Sequence, residues 1–473
     1  MATRYQPLEQ HDTTSSVSSF PTSSVTNVDS NGWLDDHRPL LSRSSAPSSL
    51  YQSETSVEDG DHHHHSHATA TPMSCAVNLA NTILGTGMLA MPSAVASVGI
   101  IPGVFVILFS AAASAAGLYF LSRCAARTEG RHASFFAISK LTWPRIAVLF
   151  DLAIAIKCFG VAISYLIIIG DLMPQVVASF SHHGQTVEIL LDRRFWITVF
   201  MVIAVLPLSF LRKLDSLKYT SLVALIAVIY LCTIVIYHYI SPNYPPPPPE
   251  DIELVHFSTK FFSHLPVFVF AFTCHQNIFA VYNELKDNSQ LAVSKVIATS
   301  IGTSAFIYEA IAILGYLSFG KNVRGNIIME YPPSMFVAGG RLAIVVLVVF
   351  SYPLQAHPCR ASLDKVLAWR TPEARGLKVP PPPSACKYFA MTTAILIFSY
   401  LIAITVSQLD LVLAFVGSTG STTISFILPG LFYYKIHEND PWKPGKIGAV
   451  ALAVYGVLVM SVCLTFNILR LMA

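Results

Sequence analysis

Asn78-Leu-Ala-Asn81-Thr82-Ile-Leu-Gly85-Thr86-Gly87-Met-Leu-Ala-Met91-Pro92 lies in the middle of the first long apolar segment, residues 73–98. Two glycines and a proline so close together oppose an unbroken helix. Proline has no N–H to give, and its ring crowds the carbonyl one turn back. Glycine lowers helix propensity and lets the backbone come near another group. In lipid, every backbone group freed in this way needs a partner in protein, water or ligand. With Asn81, Thr82 and Thr86 alongside, the stretch reads as a membrane helix with a polar break near the bilayer midplane. Such breaks hold the substrate in secondary transporters. The competing reading is a packing stripe, in which Gly85 and Gly87 let neighbouring helices approach.

The rest of the chain supports a membrane setting. Of 473 residues, 53% are hydrophobic and only 12% are charged. Apolar runs recur at about 73–98, 100–122, 146–178, 194–211, 217–240, 261–282, 295–319, 336–356, 387–407, 411–434 and 446–469. Each approaches the ~20 residues needed to cross a bilayer. The expected architecture is an all-α polytopic membrane protein with eleven spans over residues 73–470, and the lipid bilayer is its first partner. The third segment exceeds what a bilayer needs, so it is expected to tilt or to pass the interface. A formal net charge of +3 gives no reason to expect nucleic acid as a partner.

Lys and Arg set the orientation. With the N-terminus in the cytosol, the inner loops receive Arg123, Arg127 and Arg131, then Arg212 and Lys213, then a dense group from Arg360 to Lys387. The outer side receives fewer, among them Arg193, Arg194, Lys321 and Arg324. An odd number of spans then puts the C-terminus in the lumen. The first 70 residues lack an apolar stretch, so no secretory signal is expected and the first span serves as the insertion signal.

Residues 1–72 are rich in Ser and Thr, poor in apolar residues, and expected to be a disordered cytosolic tail. Within them, Asp36-His-Arg-Pro-Leu40-Leu41 fits the acidic dileucine pattern by which clathrin adaptors route cargo to lysosomes or vacuoles. His62-His63-His64-His65-Ser66-His67 reads as low-complexity sequence before it reads as a metal or pH sensor, and no metal site is expected. The eight cysteines fall in or beside apolar segments, and no Asn-x-Ser/Thr sequon occurs. Neither disulfides nor N-glycosylation are expected. The polyproline stretches Pro245–Pro249 and Pro380–Pro383 read as stiff spacers.

Charged side chains inside spans are costly and become functional suspects. Lys157 sits mid-span in Asp151-Leu-Ala-Ile-Ala-Ile-Lys157-Cys-Phe-Gly160. One reading makes it a proton-coupling lysine; the other makes it a permanent ion pair with Asp151 or Asp171. In the sixth segment, Cys274-His275-Gln276-Asn277 predicts a second polar break, and His275 is of the type that titrates near the pH of an acidic lumen. A satisfied core histidine is the simpler reading. Glu309 in the seventh span is a further proton-relay candidate. Ser351-Tyr352-Pro353 and Gly417-Ser-Thr-Gly-Ser-Thr-Thr423 are expected to interrupt the eighth and tenth spans, the latter for packing beside the pathway.

These stretches, with Tyr165-Leu-Ile-Ile-Ile-Gly170-Asp171, Tyr282-Asn283-Glu284, Leu409-Asp410 and Pro429-Gly430, resemble the amino acid/auxin permease family over residues 72–470. Within it the chain looks most like the fungal vacuolar amino acid transporters, relatives of the animal sodium-coupled neutral amino acid transporters. The resemblance implies a leucine-transporter-like fold: five helices, an inverted repeat of five, and an eleventh. It implies that an amino acid's carboxylate meets backbone amides near Gly85–Gly87, and that its ammonium meets carbonyls near Cys274–Ile278. Sodium-coupled relatives use an Asn in the first helix and a Thr in the eighth; here Asn81 matches, and Ser351 stands nearest to the second.

The expectation is therefore a secondary active amino acid transporter of the vacuolar or lysosomal membrane, exporting to the cytosol. No cofactor is implied beyond a co-transported proton, with Lys157, His275 and Glu309 as carriers, or alternatively sodium at Asn81 and Ser351. A sodium-coupled plasma-membrane importer and an amino acid sensor on the same fold are the competing functions. No nucleophile–base or metal-ligand spacing points to an enzyme.

Overall fold

The structure is a computed structural model that describes residues 70–472, apart from 129, 132, 145–146, 181–187, 212–219, 242, 245 and 369–383. The tail expectation for residues 1–72 thus falls almost wholly outside the described residues, as do Asp36, Leu40, Leu41, the histidine run and Pro380–Pro383.

Nine described helices are long and apolar enough to cross a membrane, and a bent pair, Pro72–Ile83 with Gly87–Ala96, makes a tenth. In chain order the spans are that pair, Ile100–Ala125, Ala147–Phe180, Val223–Ile240, Lys260–Glu284, Gln290–Asn322, Met335–Leu367, Ala385–Thr405, Leu409–Ile436 and Pro444–Met472. The expected fourth span, 194–211, differs. It forms Arg193–Phe200, a π-helical turn over Met201–Val205 and a last turn Leu206–Ser209, shorter than the rest. Pro207 explains the change of register, because it removes one amide donor and crowds the preceding carbonyl. Ordinals below keep this segment as the fourth.

The third span is the pillar of the bundle. It runs 34 residues, about 51 Å at 1.5 Å per residue, and 83% of its most apolar window is buried, against 33% for the eleventh span. It packs along the eighth span and against the tenth. Large apolar side chains on the outer helix faces, such as Phe105, Phe306 and Leu458, are exposed as a lipid-facing surface requires.

Two expected interruptions take another form. The eighth span passes through Pro353 and Pro358 without a break, from Met335 to Leu367. Beside Pro353 the helix is tied to the ninth span by a side-chain bond, Tyr352 Oη lying 2.6 Å from Ser399 Oγ. The tenth span is not broken at Gly417–Thr423 but widened, with π turns at Gly417–Ser421 and Thr423–Ile427. Its small residues let it press on the third span: a Cβ on Gly420 would stand 2.8 Å from the backbone N of Lys157.

The two ends of the first span have different surroundings. At its start, Ala70 pairs as a β-bridge with Leu285, its N–H donating to Glu284 O (3.1 Å) and its carbonyl accepting from Lys286 N (3.0 Å). Arg131 caps the C-terminal end of the sixth span there, donating to Asn283 O (3.2 Å), Leu285 O (2.5 Å) and Lys286 O (3.0 Å). The Asn283 carboxamide closes the joint by accepting from Ala133 N (3.1 Å) and donating to Ala133 O (2.9 Å). At the other end, Ser93 and Ser97 border a cavity of about 750 Å³ that Asp171, His264, Asn326 and Asp410 also line. Its charges are largely paired: Arg470 with Asp410 (2.9 Å), Arg193 with Asp171 (3.6 Å) and Arg324 with Glu330 (2.9 Å). Burial pushes the Glu330 carboxyl up from its ordinary value, and Arg324 opposes that shift.

Candidate functional site

The first span breaks where its glycines are. The first half-helix ends at Ile83, residues 84–86 are non-helical, and the second half starts at Gly87 after a 58° bend. Pro92 does not make the break; it sits inside the second half, where it packs against the seventh span at Gly315. The Leu84 N–H returns to Ala80 O and the Gly85 N–H to Ile83 O, both at 2.8 Å. Among the described residues, no backbone carbonyl accepts from the N–H of Thr86 or Gly87. These two amides stand at the start of a ten-residue helix, where the helix dipole favours an anion.

The sixth span breaks in turn. Its first half ends at Ala271, His275–Asn277 forms one 3-10 turn, and helix resumes at Ile278. The two breaks touch. Asn277 Nδ2 donates to Thr82 Oγ1 at 2.7 Å, and a Cβ on Gly87 would stand 2.9 Å from the Cβ of Ala271. Gly85 is different: a Cβ there would meet nothing closer than its own Ile83 O at 4.0 Å, so this glycine faces open space.

Carbonyls freed by the breaks are held by side chains that the sequence reading missed. The Tyr308 hydroxyl, on the seventh span, bonds Ile83 O of the first break and lies 3.1 Å from Ala271 O of the sixth. The Gly85 amide also faces its phenol oxygen. Ser114, on the second span, donates to Phe272 O at 2.8 Å, and Thr273 Oγ1 returns to Val269 O at 2.8 Å. Left unpaired in this interior, each carbonyl would cost about 1–3 kcal/mol. Tyr308 stood beside Glu309, the one acid expected inside that span, so a polar pair in an apolar helix was the available signal.

His275 is fully buried; its Nε2 lies 3.2 Å from Ser114 O. Among the described residues its Nδ1 has no partner, nor has Gln276 Oε1, nor either carboxylate oxygen of Glu309. Buried polar atoms left in this state call for a ligand, a water or a proton. Cys274 is buried at the same turn. Lys157 is 4% exposed and lies within coulombic reach of Cys274 and His275. The ion-pair reading of Lys157 does not hold: Asp151 faces Lys365 at 3.6 Å and Asp171 faces Arg193 at 3.6 Å. The acids belong to neighbours because both lie more than a helical turn from Lys157, towards the two ends of the third span. Asn81 is half-buried one turn before the first break. Ser351 sits on the unbroken eighth span against the Tyr165 hydroxyl, which also faces Gln355.

Thus Thr82, Gly85, Thr86, Gly87, Cys274, His275, Gln276 and Asn277 lie on two breaks that meet, with Lys157 nearby. Glu309 stands next to the tyrosine that bridges them. The geometry offers paired amides at one helix start, hydroxyl-held carbonyls at two helix ends, and free space at Gly85. That set suits a small molecule with both an anionic and a cationic end.

A family model described as transmembrane amino acid transporter protein matches residues 68–470. The chain is 46% identical to Vacuolar amino acid transporter 5 of Schizosaccharomyces pombe, over 84% of this chain and 94% of that one. It is 37% identical to Vacuolar amino acid transporter 6 of Saccharomyces cerevisiae, over 84% of this chain and 98% of that one. Among solved structures, the crystal structure of MhsT in complex with L-phenylalanine matches with a TM-score of 0.54 at 11% identity, covering 84% of this chain and 99% of that one. At that identity the likeness is one of fold.

Proposed function

Because the chain belongs to the transmembrane amino acid transporter family, we propose that it is a secondary active transporter exporting amino acids from the vacuolar or lysosomal lumen to the cytosol, driven by protons. The observation that carries this reading is the meeting of two broken spans through Asn277 and Thr82, with open space at Gly85. The substrate carboxylate is assigned to the N–H groups of Thr86 and Gly87, and the ammonium to carbonyls at the sixth-span break. The names of the fungal relatives support both the substrate class and the membrane.

Alternating access on a 5+5 inverted repeat with an appended helix is part of the same proposal, as are a cytosolic N-terminus and a lumenal C-terminus. On this orientation the Ala70–Arg131 joint closes the cytosolic end, and the 750 Å³ cavity is the lumenal approach. Proton coupling is assigned to Lys157, His275 and Glu309. Buried Lys157 lacks an acid among the described residues, and the Glu309 oxygens lack donors, so both suit a changing proton count. Routing through clathrin adaptors at Asp36, Leu40 and Leu41 rests on the sequence pattern.

Purified protein in liposomes tests the coupling. Labelled amino acids are expected to accumulate under an imposed pH gradient and not under a sodium gradient of equal size. Accumulation driven by sodium alone would move the ion to Asn81 and Ser351 and favour the plasma-membrane importer. Binding without accumulation under either gradient would favour the sensor.

A further inference from the structure

Tyr308 ties the two breaks together, and neither break contains it. Its ring is fully buried and packs edge-on against Phe272, with centroids 5.1 Å apart. Its hydroxyl reaches Ile83 O, the last carbonyl of the first half-helix, and Ala271 O, the last of the sixth span's first half. These acceptors lie 225 and 37 residues away in sequence. A phenol has one hydrogen, and each carbonyl has two lone pairs. One hydrogen shared between two acceptors therefore fixes their separation and leaves acceptor capacity on both. Ile83 O spends part of its remainder on the Gly85 N–H, 2.8 Å away. The acceptor with most capacity left is Ala271 O. Ala271 itself packs on Gly87, its Cβ 2.9 Å and its Cα 3.0 Å from where a Gly87 Cβ would stand, and among the described residues the Gly87 N–H is one of the two amides without a backbone partner.

We propose that Tyr308 is the positioning residue of the amino acid site: its hydroxyl sets the distance between the carbonyl end at Ala271 and the amide end at Thr86–Gly87, so that one zwitterion spans both. This rests on the amino acid reading above and adds a residue that reading did not use. The ammonium takes the free lone pair of Ala271 O, and the carboxylate takes the two amides. Without the hydroxyl, Ile83 and Ala271 are no longer held to a common donor, and the two poles of the site lose their spacing. Transport chemistry is otherwise untouched, because Tyr308 is placed on neither the proton path nor the cavity.

Tyr308→Phe keeps the ring against Phe272 and removes only the bridge. In liposomes under a pH gradient, KM for the amino acid is expected to rise about tenfold, as the loss of one to two buried hydrogen bonds implies. Maximal rate per folded transporter is expected to stay within about threefold of wild type. Melting temperature without amino acid should fall, since Ala271 O loses its donor, and thermal stabilisation by added amino acid should weaken beyond that fall. An unchanged KM with a maximal rate that falls in step with folded protein would mean that Tyr308 is structural only, and would overturn the proposal. Should the Phe variant not fold, 3,5-difluorotyrosine at 308 retains size and hydroxyl but donates more strongly. It is expected to shift KM at least about twofold, and an unchanged KM is again fatal. Wild-type protein that neither transports nor is stabilised by amino acids would overturn the amino acid reading itself, a result distinct from a normal wild type beside an indifferent variant.

Discussion

Leucine in place of Gly85 is expected to abolish amino acid uptake, by about a hundredfold or more (~2.8 kcal/mol), with folded protein kept at wild-type levels. The Cβ position at Gly85 faces open space, so an added side chain displaces no neighbour. It fills instead the volume beside the amides of Thr86 and Gly87 that the proposed substrate enters. Gly87 supplies the contrast. A Cβ there would stand 2.9 Å from Ala271 Cβ and 3.0 Å from its Cα, so leucine at 87 pushes apart the first and sixth spans and lowers stability and uptake together. Uptake, surface-independent protein level and melting temperature, measured for both variants, separate the two effects. Retained uptake in Gly85→Leu would remove the substrate from this break; a loss of folded protein equal to that of Gly87→Leu would show that both glycines serve packing alone.

Gly117→Ala is expected to be the most damaging single methyl in the second span. A Cβ at this position would lie 2.1 Å from the backbone oxygen of Ser425 and 2.7 Å from His275 Nε2. The first cannot yield without moving the π-helical part of the tenth span. The second is already committed to Ser114 O. Overpacking of this kind costs typically about 1–3 kcal/mol, and here a rigid backbone atom puts it at the upper end. The purified variant is expected to melt several degrees lower, about 4 °C or more, and to be recovered in reduced amount. Gly302→Ala on the seventh span, where a Cβ meets nothing within 4 Å, is the matched control. Equal melting temperatures for the two variants would show that the close approach of helices two, six and ten is not as tight as these distances state.

The breaks were legible because lipid punishes local irregularity. Glycines at 85 and 87 and a run of polar side chains at 274–277 have few other uses inside a span, so period and composition sufficed. The place of the first break was read less well than its existence: Pro92 seemed to share in it, yet lies inside the second half-helix. Ser351-Tyr352-Pro353 misled in the same way, since the eighth helix runs through Pro353 from Met335 to Leu367 without ending. What sequence could not supply was partnership across the bundle. Tyr308, Ser114 and Gly117 are single residues on regular helices, and their roles come from contacts with residues on other spans, from 37 to more than 300 positions away. The same holds for Lys157, whose isolation from Asp151 and Asp171 depends on where Lys365 and Arg193 stand.

The π turns of the tenth span carry a consequence for its reading frame. A π turn accommodates one residue more than an α turn covering nearly the same length, so Leu409–Ile436 holds more chain than its height demands. Each α-helical residue advances the chain by about 100° around the axis. Restoring α geometry at either π turn would therefore rotate the whole stretch from Leu428 to Ile436 by roughly that angle, with little change in where it ends. That stretch faces the second and eleventh spans, so the tenth helix behaves as a screw with a spare thread, and its two halves need not keep a common phase.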